Sequence, residues 1–276
     1  MTPADLDHLA DLLRRRAGLT IGADKSRLIE SKLAPVARRF GFRDCGAMLA
    51  ELPHPAEELA EAVTEAMTTN ESSFFRDRFP FEYFRARIVP ALCTARTDKR
   101  LRIWCAAVAT GQEAYSLAMI LGEMGLAADG WKIDLIATDI SRAAIARARE
   151  GVYSQYEAQR GLSVETLVDN FSQEGTGWRI AERLRRSVTF RSFNLLDHYG
   201  WLGEIDVIFC RNVLMYLDGQ SKSIVLDKMA ETLTPDGYLV LGDKESAPGW
   251  TADGERGVYV GARNTSRPSA ARSSVA

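Results

Sequence analysis

An α/β domain preceded by an all-helical one is predicted by three features of this 276-residue chain. Residues 1–67 show helical spacing of apolar residues and nothing that reads as a strand. From residue 100 onward, strand-like apolar runs alternate with helical patterns, which implies a parallel sheet covered on both faces. Between Leu101 and Met119 the string LRIWCAAVATGQEAYSLAM reads strand, tight small-residue turn, helix. Such a turn lets a ligand lie close against the backbone, with the free N–H groups of a helix start behind it.

Taken in order, Thr2 caps a first helix with Pro3 at its first position, and Leu6, Leu9 and Leu13 form its apolar side. Asp24 caps a second helix whose Ile29, Leu33, Val36 and Phe40 share a stripe. Asp44 starts a short third helix and Pro55 opens a fourth. Residues 68–99 form a linker, TTNESSFFRDRFPFEYF at its start. Its aromatics Phe74, Phe75, Phe79, Phe81, Tyr83 and Phe84 suit packing against the following domain. Asn70, Ser72 and Arg76 have no packing role in that picture, which makes them candidates for ligand contact. Strands are expected at 101–106, 132–137, 188–193, 205–210 and 237–242, with helices near 112–124, 141–149 and 219–233. An insertion at about 153–187 contains EGTGWRI, the signal of a small hairpin. Residues 264–276 are rich in Ser, Ala and Arg and are expected to be disordered.

Composition narrows the function. Net charge is −2 and 46% of residues are hydrophobic, as in an ordinary soluble globular chain. No apolar run is long enough to span a membrane, and the start has no secretory pattern. Cys45, Cys93, Cys105 and Cys210 are scattered, which disfavours disulfides or a structural metal and suits the cytoplasm. His8, His54 and His198 are not at ligand spacing, so neither a zinc site nor a histidine-based active site is expected.

Charge is uneven in the first domain. Between Arg14 and Arg43 there are nine Lys or Arg residues and two acids, Asp24 and Glu30. Lys25, Lys32 and Arg39 recur every seven residues and so form one line on the second helix. A charged helix is ordinarily a solvated face; the functional alternative is docking of an acidic partner. The lack of aromatics among these basic residues argues against nucleic acid.

Ligands of a parallel α/β sheet bind at the carboxyl ends of its strands. Asp139, Asn194, Asn212 and Asp243 each follow a predicted strand end. Gly111 is the only glycine in the turn after the first strand, so the dinucleotide fingerprint is absent and Glu113 would repel a pyrophosphate. A cationic cofactor suits the site better. S-adenosylmethionine carries a sulfonium and an ammonium, and Glu113 can pair with the latter. Glu113 equally suits a first-turn acid complementing the helix dipole, and Asp139 a helix cap.

With these residues placed, the chain resembles the CheR family of chemotaxis receptor glutamate methyltransferases from about residue 5 to 262. The strings are LTIGADKSRLIESKL, TTNESSFFRD, LRIWCAAVATGQEAYSLAM, IATDISRAAIARAREGVY, SFNLLD, FCRNVLMYLD and LTPDGYLVLG. The resemblance implies a class I S-adenosylmethionine-dependent methyltransferase sheet over residues 100–263, with a small inserted β-subdomain, behind a helical domain at 1–67. It implies cofactor contacts by Asn70, Ser72, Arg76, Glu113, Asp139, Asn194, Leu195, Arg211 and Asn212. Asp139 would hold the ribose, Asn194 and Leu195 would flank the adenine, and Glu113 would serve the methionine end. The basic second helix would grip the receptor's methylation helices.

Several positions depart from the family pattern. Ser72 replaces a usual Thr, Ala109 a Ser, Gln112 a Glu and Ala114 a Pro. LGDKES stands where a Gly-His-Ser-Glu-like string is usual, which introduces the charges Asp243 and Lys244. The EGTGWRI loop is short, which argues against docking on a receptor's C-terminal pentapeptide.

The implied reaction is methyl transfer to a glutamate carboxylate. That group is ionised at neutral pH and needs no general base. Arg76 and Tyr216 are the residues expected to orient it. Competing readings are a non-catalytic cofactor- or receptor-binding module of the same fold, and a nucleic-acid methyltransferase. A monomer that works on cytoplasmic receptor helices, with no nucleic acid and no membrane insertion, is the expected form.

Overall fold

The computed structural model describes residues 2–22, 26–254 and 257–261. The expected Asp24 cap, Lys25 and the expected disordered tail lie outside the described residues.

Helix α1 (Pro3–Ala17) starts with a reciprocal cap between Thr2 and Asp5. It packs with α2 (Ser26–Arg39), α3 (Cys45–Leu49) and α4 (Glu57–Met67) around Leu9, Leu13, Ile29, Leu33, Met48 and Val63. Asp44 caps α3 by accepting the Ala47 N–H at 2.8 Å. These helices enclose a core of their own, separate from the core clusters of the sheet.

The linker forms one rod: α5 (Phe79–Tyr83), a π turn over Phe84–Ile88, then α6 (Val89–Ala95). Pro90 has no N–H to continue the regular ladder, and the turn before it widens. Phe81 and Phe84 bury their rings against Phe209 of the sheet. Arg96, at the end of the rod, fixes it to the far edge of the sheet through Asp206 and Asp236, each at 2.7 Å.

The large sheet then alternates with helices: β1 (Arg100–Ala106), α7 (Gln112–Glu123), β2 (Lys132–Asp139) and α8 (Arg142–Glu150). An insertion follows, made of β3 (Val152–Ser154), α9 (Gln155–Gln159), α10 (Val164–Asn170), β4 (Phe171–Glu174), β5 (Gly177–Ile180) and α11 (Glu182–Ser187). The chain returns through β6 (Val188–Ser192), β7 (Ile205–Cys210), α12 (Gly219–Thr232), β8 (Leu233–Leu241), β9 (Thr251–Ala252) and β10 (Val258–Val260).

Strand order is β6-β2-β1-β7-β8-β10-β9, and β3-β5-β4 form a separate antiparallel sheet. The five strands expected from sequence run parallel, so their carboxyl ends share one edge. The sheet is not wholly parallel, however. The short strands β10 and β9 add an antiparallel margin that the sequence pattern did not reveal. Two- and three-residue strands beside glycines are too short to show a period.

Candidate active site

The helical domain closes over the carboxyl edge of the sheet and is tied there by polar contacts. Thr20 N–H donates to Tyr216 O at 2.9 Å and Asp218 N–H to Gly18 O at 2.9 Å, beside a Leu19–Leu217 bridge. Asn194 Nδ2 donates to Arg16 O at 2.6 Å. Glu65, near the end of α4, accepts Ser141 Oγ at 2.8 Å and Ala143 N–H at 2.7 Å. It thereby satisfies a free N–H at the start of α8, the helix that follows Asp139.

Between the two parts lies a cleft. Leu13, Ala17, Leu19 and Leu28 line one side; Ile140, Phe193 and Leu195 line the other. Asn70, Asp139, Asn194, Asn212 and Tyr216 supply its polar lining. A smaller cavity adjoins it, walled by Ser72, Arg76 and Glu113, and shares Ala107, Ala109, Arg211 and Asn212 with the larger one. Residues expected from five separated strings thus meet around one continuous space.

Asp139 stands at the end of β2 and is 5% exposed. Its two carboxylate oxygens accept Ala109 N–H at 2.8 Å and Ser141 N–H at 2.9 Å. Each oxygen keeps a lone pair for a further donor. Burial pushes this carboxyl above the usual aspartate range, against the pull of the backbone N–H groups of Ser141 and Ala109.

Glu113 sits in the first turn of α7, and its Oε2 accepts from Arg211 Nη1 at 2.7 Å. Arg211, its side chain 1% exposed, also donates to Asp77 at 2.6 Å and to Arg76 O at 3.0 Å. Its Nε is buried with no partner. Arg211 therefore enters the site mainly as a clamp between α7 and the linker, and its charge compensates Glu113 and Asp77. Arg76 itself makes one long bond among the described residues, Nη1 to Glu71 O at 3.3 Å, and it lines the smaller cavity.

Asn194 has less freedom than the sequence implied. Besides its bond to Arg16 O, its Oδ1 accepts Leu196 N–H at 3.0 Å, leaving one donor and one lone pair. Tyr216 is 38% exposed at the cleft, and its hydroxyl has no partner among the described residues.

The expected basic line on α2 does not form a single outer surface. Lys32 turns inward, donates to Thr68 O at 2.7 Å at the end of α4, and lines the cleft. Burial lowers its pKa. The free carbonyls ending α4 attract this ammonium, and no periodicity in α2 reveals that neighbour. Arg39, like Arg27 and Arg38, is exposed; Lys25 lies outside the described residues. Asp243 and Lys244 are also exposed and line neither cavity.

Glu245 was not found from sequence. It is buried, and its carboxylate gathers three backbone N–H groups: Asn212 at 2.7 Å, Gly242 at 2.9 Å and Met215 at 3.2 Å. It thereby fixes the loop carrying Asn212, which holds a left-handed φ of 57°, and Tyr216. Only an acid shortly after the last buried strand was visible, and nothing marked it as turned inward.

This lining fits S-adenosylmethionine. The apolar walls suit a flat base, the free lone pairs of Asp139 suit a diol, and Glu113 offers negative charge toward an ammonium. The sheet, the small-residue turn after β1 and the acid at the end of β2 define a class I S-adenosylmethionine-dependent methyltransferase.

Within that class, the chain belongs to the CheR methyltransferase family. Residues 70–255 match its SAM-binding domain and residues 4–68 its all-alpha domain. Chemotaxis protein methyltransferase 1 of Pseudomonas aeruginosa is 38% identical over 88% of this chain and 90% of that protein. Chemotaxis protein methyltransferase Cher2 of Pseudomonas putida is 36% identical over 89% of this chain and 91% of its own length. A chemotaxis protein methyltransferase of Vibrio parahaemolyticus is 37% identical over 87% of this chain and 88% of its own length.

Proposed function

We propose that this enzyme methylates glutamate side chains on the cytoplasmic helices of chemoreceptors, giving methyl esters that adjust receptor signalling in chemotaxis. The supporting observation is Arg76. It lines the smaller cavity with one long hydrogen bond on its guanidinium, and none of the chain's histidines lines either cavity. Bound S-adenosylmethionine supplies an electrophilic methyl group on a sulfonium sulfur.

The residues of the chain then bind, align and exclude water. Asp139 accepts the ribose hydroxyls, Asn194 and Leu195 flank the base, and Asn70, Ser72, Glu113, Arg211 and Asn212 complete the wall around the amino-acid end. Arg76 holds the incoming carboxylate through a charge-assisted hydrogen bond, and Tyr216 offers a second donor. A carboxylate with a pKa of about 4.3 is ionised at neutral pH, so alignment rather than deprotonation is the enzyme's task.

The test is incubation with methyl-labelled S-adenosylmethionine and receptor cytoplasmic fragments. Glutamate esters release their label as volatile methanol in alkali, whereas methylated nitrogen does not. Cofactor binding with no label on any receptor fragment would favour a non-catalytic module; label on nucleic acid would redirect the substrate assignment.

Independence from a receptor's C-terminal pentapeptide is part of the same proposal. Two residues, Gly175 and Thr176, join β4 to β5, so the inserted sheet has a short loop with which to hold a peptide. Equal KM for receptors with and without the pentapeptide is the expected result.

A further inference from the structure

The inserted β3-β5-β4 sheet meets the active site through Tyr153, which is fully buried. The Tyr153 hydroxyl donates to Thr110 O at 2.8 Å, in the turn between β1 and α7. Its ring packs edge-on against Phe74 of the linker at 5.0 Å between centroids, and both rings pack against Phe171 of β4. The insertion touches the linker backbone as well, since a Cβ on Gly161 would lie 2.0 Å from Phe74 O. One buried residue thus joins the cofactor turn to the segment that carries Ser72 and Arg76.

That turn needs holding. Ala107 and Ala109 sit at φ 57° and 51°, where L side chains are disfavoured, and Gly111 is at 97°. Such backbone persists only where neighbouring structure over-determines it. Two restraints come from the end of β2: Val108 N–H to Thr138 O at 2.9 Å and Ala109 N–H to Asp139 at 2.8 Å. The third is Tyr153, the only one of the three from the insertion.

We propose that Tyr153 is a positioning residue for cofactor binding, and that the inserted sheet braces the cofactor turn whether or not a receptor touches it. This rests on the reading of the cleft as the S-adenosylmethionine site. Burial raises the phenol's pKa well above its ordinary value, so it stays a donor throughout the working pH range.

Tyr153→Phe keeps the ring and removes the bond. Tyr115→Phe is the matched control, because Tyr115 is equally buried and its hydroxyl donates to Ala148 O on α8 at 2.7 Å, outside the turn. Calorimetry with S-adenosylhomocysteine should show binding about five- to thirtyfold weaker in Tyr153→Phe, the range for loss of one buried hydrogen bond. Tyr115→Phe should lose thermal stability without that loss of affinity. Amide exchange in the ligand-free protein should quicken at Val108–Gly111 in Tyr153→Phe alone. Unchanged affinity and exchange in Tyr153→Phe, or equal loss in both variants, would overturn the proposal. Failure of the unmodified protein to bind S-adenosylhomocysteine would instead overturn the cofactor reading.

Discussion

Glu245 accepts the backbone N–H of Asn212 at 2.7 Å, and so joins the segment after β8 to the segment after β7. Asn212 reaches the cleft in a left-handed conformation, and the same carboxylate also holds Gly242 and Met215. All three donors are backbone N–H groups, so a side-chain amide cannot replace the acid. Either orientation of Gln points an NH2 group at a donor. Glu245→Gln should therefore cost about 1–3 kcal/mol of stability, the usual penalty for leaving a buried donor unpaired. Denaturant unfolding measures this, and a variant as stable as the parent would contradict the account.

Asp139 should make cofactor binding pH-dependent. Burial raises its folded-state pKa, so this group favours the folded state most below its unfolded pKa, and that contribution is lost as pH rises through the raised value. Ligand binding has the opposite sign. Ribose hydroxyls need the carboxylate as acceptor, so affinity for S-adenosylhomocysteine should fall as pH drops through the raised pKa. Asp139→Asn should bind more weakly and without that pH dependence. Asp139→Ala should lose about 1.5–3 kcal/mol of affinity. Titration calorimetry from neutral to mildly acidic buffer checks both.

Arg76 and Tyr216 are assigned to the carboxylate and should separate turnover from cofactor binding. Tyr216→Phe leaves the ring in place and should lower kcat by roughly ten- to a hundredfold, at about 1.4 kcal/mol per factor of ten. Arg76→Ala removes a charged donor and should cost more. With no general base, kcat should stay flat from about pH 6 to 8. A rise centred near pH 6.5 would show that a histidine takes part, and full activity in both variants would remove these residues from the site.

The basic face of α2 divides into two experiments. Arg38→Glu with Arg39→Glu should raise KM for receptor fragments and leave cofactor affinity intact. The parent's advantage should shrink with salt, because the Debye length falls from about 10 Å at 0.1 M to 3 Å at 1 M. Lys32→Met should behave differently, losing about 1 kcal/mol of stability with the bond to Thr68 O. A KM response from Lys32→Met as salt-sensitive as that of the arginine pair would show that Lys32 faces the receptor after all.

The turn after β1, the acid at the end of β2 and the alternation of strand and helix were legible because each is a local pattern. A buried strand, a run of small residues and a helix start lie within nineteen residues of one another, Leu101–Met119. The inward turn of Lys32 was not legible. Sevenfold spacing places Lys25, Lys32 and Arg39 on one stripe, but the neighbour of that stripe is set by how α4 packs across it. The resemblance implies Arg211 only as a cofactor contact; its role as a clamp was not legible, since its partners Asp77 and Glu113 lie 134 and 98 residues away.

The chain's order of residues was enough to specify a helical domain, a mostly parallel sheet and the strand ends that border the cleft, because hydrophobic period and turn chemistry act over a few residues. Tertiary structure alone decided which polar groups would face one another: Glu245 turned in to Asn212, Tyr153 reaching Thr110, Glu65 capping α8, and Asn194 held by Arg16. These pairings join segments far apart in the chain. They arise because a buried donor or acceptor left without a partner is costly, a constraint that takes effect only once packing has removed the water.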